Sequence, residues 1–397
     1  MVVISEENLA HYLAEHTDLV DSSAPVEITA LSQQENRYAD GYLNYLYSAK
    51  QGNRACVVKQ SRENISSDLD IGKIDPRRNL IEYQTYQLRG GITPERVPQT
   101  FHVDAENHLF ICEDLAPMKI LRFELCKGLQ FPLLGRQIGE FLATSHFTTS
   151  AFCLAPADLR SLDRHFGNPD MRHIITDFIL TPIADIPCQS ASDRAIRQVV
   201  QEILARREVS RDWQKLVADI DTKKQCLIHG DFHTSNVFVS ATDLKVIDME
   251  YTMLGPFSYD IGYFLANIMS QYVAHHFRGN QAMSQYLLEV LEQVYDTYFA
   301  RFAELDQSGT SSRLFGEILR DSLGYLAMAN IGRISSLGRF ADYDYIDDED
   351  DRYAAKMVSL AISTAFFQQR QQISTVGQVV DLIRQTTVDF RSTGSPK

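Results

Sequence analysis

The sequence predicts an α+β fold, in which a small antiparallel β-sheet lobe precedes a larger, mainly helical lobe. Between residues 26 and 116, short apolar runs rich in β-branched and aromatic residues are typical of strands. After residue 117, long segments carry apolar residues at helical spacing. We therefore expect an N-terminal helix in residues 1–25, a sheet lobe in residues 26–116, a helical lobe in residues 117–390 and a disordered tail in residues 391–397.

The elements follow in order from their patterns. Residues 5–15 place Leu9 and Leu13 on one helical face. The runs VEITAL, GYLNYLYSA and ACVVKQ predict three strands, and residues 74–89 predict a helix with proline in its first turn. Two further strands follow, up to LFICE. The runs CLI, VFV and LKVI predict short buried strands among the later helices.

Composition restricts the class of protein. The chain has 397 residues and a formal net charge of -14 at pH 7, which argues against nucleic acid or anionic membrane as a partner. The sequence contains no run of eighteen apolar residues, so it predicts no membrane span. The first residues lack the basic start and the cleavage pattern of a signal peptide. We therefore expect a cytoplasmic protein whose six scattered cysteines are reduced.

Polar residues between Leu227 and Gly262 suit phosphoryl transfer. Asp231 ends an HGD triplet, Asn236 follows five residues later, and Asp248 and Glu250 come after an apolar run. Transfer from ATP needs a carboxylate that orients or deprotonates the attacking hydroxyl, and oxygen ligands for Mg²⁺. Asp231 fits the first need, and Asn236, Asp248 and Glu250 fit the second. Turn-forming residues between strands are the alternative explanation, but this number of polar residues in this order makes it improbable.

The pattern HGDxxxxN followed by DxE resembles the catalytic and metal segment of the aminoglycoside phosphotransferase and choline kinase group, relatives of the protein kinases. The longer strings IHGDFHTSNVFV and KVIDMEYTMLGPFSYDIG are similar to the S-methyl-5-thioribose kinases in particular. This resemblance extends from about residue 26 to 370. It implies a protein-kinase-like two-lobed fold, ATP and Mg²⁺ as cofactors, the 1-hydroxyl of 5-methylthioribose as phosphate acceptor, and a homodimer.

The resemblance also implies nucleotide contacts in the sheet lobe. DGYLN resembles a nucleotide loop, in which Gly41 would let the backbone approach phosphate and Asn44 would follow. Lys59 ends a strand, as the phosphate-anchoring lysine of a kinase does, and Glu82 on the next helix could pair with it. Lys59, Arg78 and Glu82 match elements that recur in the family. An ordinary hairpin turn and a solvated lysine are the alternatives for the first two features.

The segment HLFICEDL resembles the hinge between kinase lobes. Backbone groups near Glu113 and Leu115 would then bind the edge of the adenine ring.

The acceptor must lie within hydrogen-bond reach of Asp231, so we expect contacts from His233, Tyr251 and a late helix. The family places two adjacent arginines on such a helix, and LRDSLG offers Arg320 followed by Asp321. Because a carboxylate replaces the second arginine, Arg333 or Arg339 would have to compensate, or the acceptor differs. The acidic run in residues 342–351 is expected to be a solvated surface before the next helix.

Two other functions stay open. The first is a kinase for another small hydroxylated acceptor, such as an aminoglycoside, choline, homoserine or a different pentose. The second is a non-catalytic nucleotide-binding module, which would normally lack Asp231, Asp248 or Lys59, and all three are present.

Overall fold

The structure, a computed structural model, describes residues 2–21, 24–31, 44–62, 73–181, 190–335 and 341–392. The helices are α1 (Leu9–His16), α2 (Arg78–Gly90), α3 (Leu121–Cys126), α4 (Leu134–Thr148), α5 (Pro156–His165), α6 (Pro169–Ile174), α7 (Ala191–Leu204), α8 (Arg207–Thr222), α9 (Ser258–Phe277), α10 (Gln281–Leu305), α11 (Ser312–Ser335), α12 (Glu349–Gln369) and α13 (Val376–Ser392). The strands are β1 (Glu27–Ala30), β2 (Asn44–Gln51), β3 (Arg54–Ser61), β4 (Thr100–Asp104), β5 (Leu109–Glu113), β6 (Lys119–Ile120), β7 (Cys226–Ile228), β8 (Val237–Val239), β9 (Leu244–Val246) and β10 (Met253–Gly255). The predicted α+β class, an antiparallel sheet region followed by a mainly helical one, is confirmed.

The chain divides into two compact units. The first contains Met1–Met118, Asn168–Met171 and Lys245–Thr252, and the second contains the rest of the chain. Two short segments from later in the sequence therefore join the sheet unit. One of them carries Asp248 and Glu250.

The first unit is built on a five-stranded antiparallel sheet in the order β1-β2-β3-β5-β4. Strand β3 is central, and its Lys59 lies opposite Leu46 of β2 and Phe110 of β5. Helix α1 buries Leu9 and Leu13 in the same apolar cluster as residues of β2, β3 and β5. The N-terminal helix is therefore part of the hydrophobic core of this unit.

Helix α2 buries a polar face in the first unit. Arg78, Glu82, Tyr86 and Arg89, at spacings of three or four residues, are each less than 5% exposed. Apolar periodicity in the sequence does not reveal this face, because its buried residues are polar. Hydrogen-bond and ion-pair partners compensate the burial of these groups.

The second unit is organised around α9. This mostly apolar helix is buried on all sides along almost its whole length, as expected for a central helix. Helices α10, α11 and α12 pack against it. Gly262 allows the close approach of α11, because an added Cβ would overlap the Ser322 carbonyl and lie 2.8 Å from the Tyr325 Cβ.

Short strands frame the polar loop of the second unit. Strand β7 pairs antiparallel with β10, and β6 pairs antiparallel with β8. The HGD triplet follows β7 directly, and a 3-10 turn at Thr234–Asn236 leads into β8. The short strands predicted from CLI, VFV and LKVI are confirmed.

The acidic run differs from the expectation of a solvated surface. Asp342 is only 1% exposed and accepts hydrogen bonds from Ser270 (3.0 Å) and Gln271. Farther along, Asp348 is exposed and caps α12 by accepting from the Asp351 N–H. The expectation was therefore wrong for the buried Asp342.

At the C-terminus, α13 continues to Ser392, and the last five residues of the predicted tail lie outside the described part of the chain. Within the described ranges, every helix is too short or too polar to cross a membrane.

Candidate active site

Lys59 lies between two carboxylates in the first unit. Its Nζ is 2.7 Å from Glu82 Oε2 and 2.5 Å from Asp248 Oδ1. Burial alone would lower the pKa of Lys59, but Asp248, Glu82 and Glu250 raise it above its ordinary value. Lys59 is therefore a buried ammonium group, and the structure brings it to Glu82 as the sequence predicted.

Helix α2 also fixes the backbone around Asp248. The Asp248 N–H donates to the Tyr86 hydroxyl (2.8 Å), and the Met249 N–H donates to Glu82 Oε1 (3.3 Å). Asp248 has a φ of +65°, a left-handed conformation that is uncommon for a residue with a side chain. Such strain persists where surrounding contacts enforce it and often marks a functional site.

Glu250 is held by a different pair of residues. The Arg78 Nε donates to Glu250 Oε2 (2.9 Å), and the Asn44 amide donates to Glu250 Oε1 (3.2 Å). Arg78 and Glu250 are each 2% exposed. A buried charge is tolerated when it is paired and hydrogen-bonded, and here Arg78 supplies that compensation.

These side chains fit a divalent cation. Glu82, Asp248 and Glu250 each offer a carboxylate oxygen, and these oxygens lie within 4.8 Å of one another. Hard oxygen donors are what Mg²⁺ prefers. Burial raises the pKa of Glu82 to about 7, although Lys59 opposes this effect. Lys59 and Arg78 are the cationic side chains beside these carboxylates. The side chain of Asp248 is 28% exposed, against 1% for Glu82 and 2% for Glu250, so Asp248 is the most accessible ligand.

Asp231 lies in the second unit, between two histidines. Its N–H donates to His229 Nδ1 (3.3 Å), and its Oδ2 is 3.3 Å from His233 Nε2. Because His233 Nδ1 accepts from the Ser235 N–H (3.1 Å), a neutral His233 carries its proton on Nε2 and donates it to Asp231. Burial would raise the pKa of Asp231, but His233, Arg333 and His229 hold it well below its usual range.

Arg333 supplies the cation near Asp231. Its guanidinium donates to the Tyr263 hydroxyl (2.7 Å) and lies 5.0 Å from the centre of that ring. Burial raises the pKa of Tyr263 to about 12, so its side chain is a neutral phenol at physiological pH. Arg333 and Asp231 therefore share Tyr263 as a neighbour.

The structure does not bring Arg320 to this group. Arg320 and Arg333 are thirteen residues apart on α11, which corresponds to about 20 Å along the helix axis. The adjacent Asp321 instead forms ion pairs with Lys223 (2.8 Å) and Arg370 (3.0 Å). The carboxylate at position 321 thus belongs to a structural network, and Arg333 is the arginine beside Asp231. The other candidate, Arg339, lies outside the described residues.

Asp260 holds the loop that carries Asp231. Its carboxylate accepts from the His229 N–H (2.6 Å) and the Gly230 N–H (3.0 Å), and His146 Nε2 is 3.4 Å away. This role of Asp260 was not predicted from the sequence, although Asp260 belongs to the GPFSYDIG segment. Its position in that segment was the only available signal.

The other end of the loop is fixed around Asn236. The Asn236 amide donates to the Asp231 carbonyl (2.9 Å), which leaves its side-chain oxygen as a possible ligand. Two positions before it, Thr234 donates to Asn267 Oδ1 (3.2 Å), which also accepts from Arg122 (3.0 Å).

The remaining predicted residues lie in the first unit. The Glu113 N–H donates to the Gln99 carbonyl (2.8 Å), so it is not free for adenine, and its carboxylate accepts from Lys245 (2.6 Å). Leu115 is 8% exposed, and its carbonyl accepts from the Met118 N–H. Tyr251 is buried. Gly41 lies outside the described residues.

Comparison with known proteins identifies the family. The model described as "Phosphotransferase enzyme family" matches residues 91–295. The methylthioribose kinase of Bacillus pumilus (strain SAFR-032) is 27% identical over 394 residues, which is 96% of each chain. That of Geobacillus sp. (strain WCH70) is 26% identical over 362 residues, 88% of this chain and 89% of the relative.

Among solved structures, a choline kinase from Cryptosporidium parvum Iowa II has a TM-score of 0.48 and 11% identity, over 98% of this chain and 99% of that one. The predicted resemblance to the phosphotransferase group and its methylthioribose kinases is confirmed. The family model covers more than half of the 397 residues, and the chain belongs to the phosphotransferase enzyme family.

Proposed function

We propose that the protein transfers the γ-phosphate of ATP to the 1-hydroxyl of 5-methylthioribose. The observation that carries this proposal is the buried ammonium of Lys59, held between Glu82 and Asp248. Phosphoryl transfer depends on positioned charges around the phosphates, and a buried, compensated lysine is suited to that task. The choice of acceptor is supported by the similarity to methylthioribose kinases along most of the chain.

In this proposal the first unit binds the nucleotide. Lys59 aligns the phosphates while Glu82 fixes the direction of its side chain. Asn44 and Glu113 belong to the nucleotide-binding group. Since the Glu113 N–H is already bonded, the Glu113 carbonyl and the Leu115 N–H are the groups proposed for the adenine edge.

Asp248 is the principal proposed ligand for Mg²⁺, with Glu250 and Asn236 as further ligands. When bound, the cation neutralises charge on the phosphate oxygens. Glu250 has a second task, because it neutralises the buried Arg78. Its contribution as a ligand should therefore be smaller than that of Asp248.

Asp231 orients the acceptor hydroxyl and accepts its proton. The pKa of Asp231 is held well below its usual range, so the carboxylate is ionised at neutral pH and ready to accept a hydrogen bond. The loose transition state of phosphoryl transfer requires only a weak base at this position. His233 and Arg333, with Tyr251, are the proposed acceptor contacts, and Arg333 would counter negative charge beside Asp231. A cytoplasmic homodimer remains part of the prediction.

A coupled assay of ADP release tests the proposal with a panel of acceptors: 5-methylthioribose, ribose, choline, homoserine and an aminoglycoside. We expect kcat/KM for 5-methylthioribose in the usual enzymatic range, on the order of 10⁴ M⁻¹s⁻¹ or higher. It should exceed the value for ribose by about 10-fold or more, because the methylthio group adds apolar contact. A preference for another acceptor would reject this substrate, and no acceptor-dependent ADP release would reject the kinase.

A further inference from the structure

Asn168 occupies a conformation that its residue type seldom adopts. It lies between Gly167 and Pro169 after α5, and it is one of the residues that join the first unit from later in the chain. Its φ is +42°, in the left-handed region, and it is 5% exposed. Asparagine tolerates this region better than most residues with a side chain. The turn therefore fixes the direction of the buried side-chain amide of Asn168.

The amide of Asn168 donates two hydrogen bonds to the segment that carries the acidic residues. Its Nδ2 is 2.7 Å from the Glu250 carbonyl and 3.2 Å from the Thr252 carbonyl. Two carbonyl acceptors require the nitrogen, and not the oxygen, on this side of the amide. Glu250 and Thr252 are both buried, and buried carbonyls need partners.

The Asn168 bonds complete the fixation of the 248–252 segment. Tyr86 and Glu82 hold its beginning through the N–H groups of Asp248 and Met249. Asn168 holds its end through two carbonyls. Neighbouring Asp170 accepts from the Asp75 N–H (2.8 Å), which ties the Asn168 turn to the chain just before α2.

The direction of the Glu250 side chain depends on this backbone. Glu250 contacts Arg78 and Asn44, and its carboxylate lies within the group of oxygens shared with Glu82 and Asp248. If the backbone between positions 250 and 252 shifts, both the ion pair with Arg78 and the spacing of these oxygens change.

We propose that Asn168 is a positioning residue for the divalent cation that accompanies the nucleotide. It acts through the backbone of Glu250 and Thr252, without contacting the cation. This inference rests on the proposed function, because it assigns Asn168 to the metal group named there.

Two substitutions at position 168 distinguish the effect of the side-chain amide from the effect of the left-handed backbone. Asn168→Gly keeps the left-handed turn accessible and removes the two donors. Asn168→Asp keeps the shape but directs a carboxylate oxygen at two carbonyl oxygens. His108→Gly is the matched control, because His108 has a φ of +52° in the turn between β4 and β5.

Calorimetric titration of ADP into each full-length variant at several Mg²⁺ concentrations, together with thermal unfolding, gives the readout. We expect Asn168→Gly to raise the Mg²⁺ concentration for half-maximal effect about 5-fold or more. Asn168→Asp should raise it at least as far. ADP binding without Mg²⁺ should stay within about 2-fold of wild type, and His108→Gly should match wild type in both measurements.

The inference is overturned if Asn168→Gly keeps the wild-type Mg²⁺ dependence, or if it weakens ADP binding equally with and without Mg²⁺. An equal shift in His108→Gly would also overturn it. A wild-type protein that shows no Mg²⁺-dependent nucleotide binding would reject the proposed function as well. Unchanged variants of an active, Mg²⁺-dependent wild type would reject only the role of Asn168.

Discussion

Asp231 is partly buried beside His229 and His233 and is ionised because those neighbours and Arg333 outweigh the effect of burial on its pKa. A carboxylate with a lowered pKa is a weak base and a good hydrogen-bond acceptor, and a loose transition state needs only a weak base. At the scale of single residues, we therefore propose that Asp231 orients the attacking hydroxyl and accepts its proton.

Asp231→Asn should lower kcat by a factor of roughly 10²–10⁴, the usual contribution of a general base. Nucleotide affinity should stay within about 3-fold, because Asp231 is not assigned to the nucleotide. Turnover by coupled assay and ADP affinity by calorimetry check both parts. The exposed Asp243→Asn is the control, and a variant that kept more than a tenth of wild-type turnover would remove Asp231 from the mechanism.

His233→Ala should move the acidic limb of the kcat/KM profile to higher pH. His233 is the strongest neighbour that lowers the pKa of Asp231, while burial acts to raise it. Removing His233 leaves burial less opposed, so the pKa of Asp231 rises and the carboxylate protonates at higher pH. In profiles between pH 4 and 8, the wild type should show no fall on the acidic side from Asp231, whose pKa lies well below its usual range, whereas His233→Ala should lose activity toward pH 4. An acidic limb at the same pH in both proteins would show that Asp231 does not set it.

Residue type and spacing predicted Asp231 and Asp248 as candidates, because phosphoryl transfer needs carboxylates, and the resemblance to kinases added Lys59. The contacts of Asn168 and Asp260 were not predictable, since their partners are 82 and 31 positions away in sequence. Arg320 was predicted as an acceptor contact from a short sequence match. That match did not show how far along α11 Arg320 lies from Arg333.

At the scale of elements, the N-terminus of α9 holds the loop after β7. Asp260 lies in the first turn of α9 and accepts two backbone hydrogen bonds from that loop. Burial acts to raise the pKa of Asp260. The pKa is nevertheless lowered, because the interactions of the carboxylate with His146 and His229 outweigh burial. The same element that forms the core of the second unit therefore also positions Asp231.

Asp260→Asn should destabilise the protein by about 2–3 kcal/mol near pH 7, the cost of losing charge-assisted hydrogen bonds in a buried site. Because the folded pKa of Asp260 lies below its ordinary value of 3.8, this stabilisation is present above pH 3.8 and is lost as pH falls through the folded pKa.

Denaturant unfolding of both proteins between pH 3 and 7 measures the difference in unfolding free energy. It should be largest above pH 5 and should shrink below pH 4. The exposed Asp347→Asn should show no such difference. A difference that does not vary with pH would contradict the assigned role of the charge.

Periodicity predicted the elements better than it predicted their buried polar contacts. The short strands around the HGD triplet and the helices after it follow from apolar patterns, because their burial is apolar. Apolar patterns do not predict the buried polar faces of α2 and of the segment around Asp342, because ion pairs and hydrogen bonds compensate their polar groups.

At the scale of the whole molecule, the proposed site residues belong to two compact units. The first contains Lys59, Glu82, Asp248 and Glu250, and the second contains Asp231, Asn236 and Arg333. Family membership accounts for a shared reaction type, whereas the acceptor depends on individual site residues, which we propose are those around Asp231. We propose that both groups of residues serve one transfer of phosphate to a sugar hydroxyl.

The most direct test is ³¹P NMR of the products that the protein forms from MgATP and 5-methylthioribose. We expect a sugar 1-phosphate in equal amount to ADP, and its loss in Asp231→Asn. ADP accompanied only by inorganic phosphate, or a phosphate on a different hydroxyl, would contradict it.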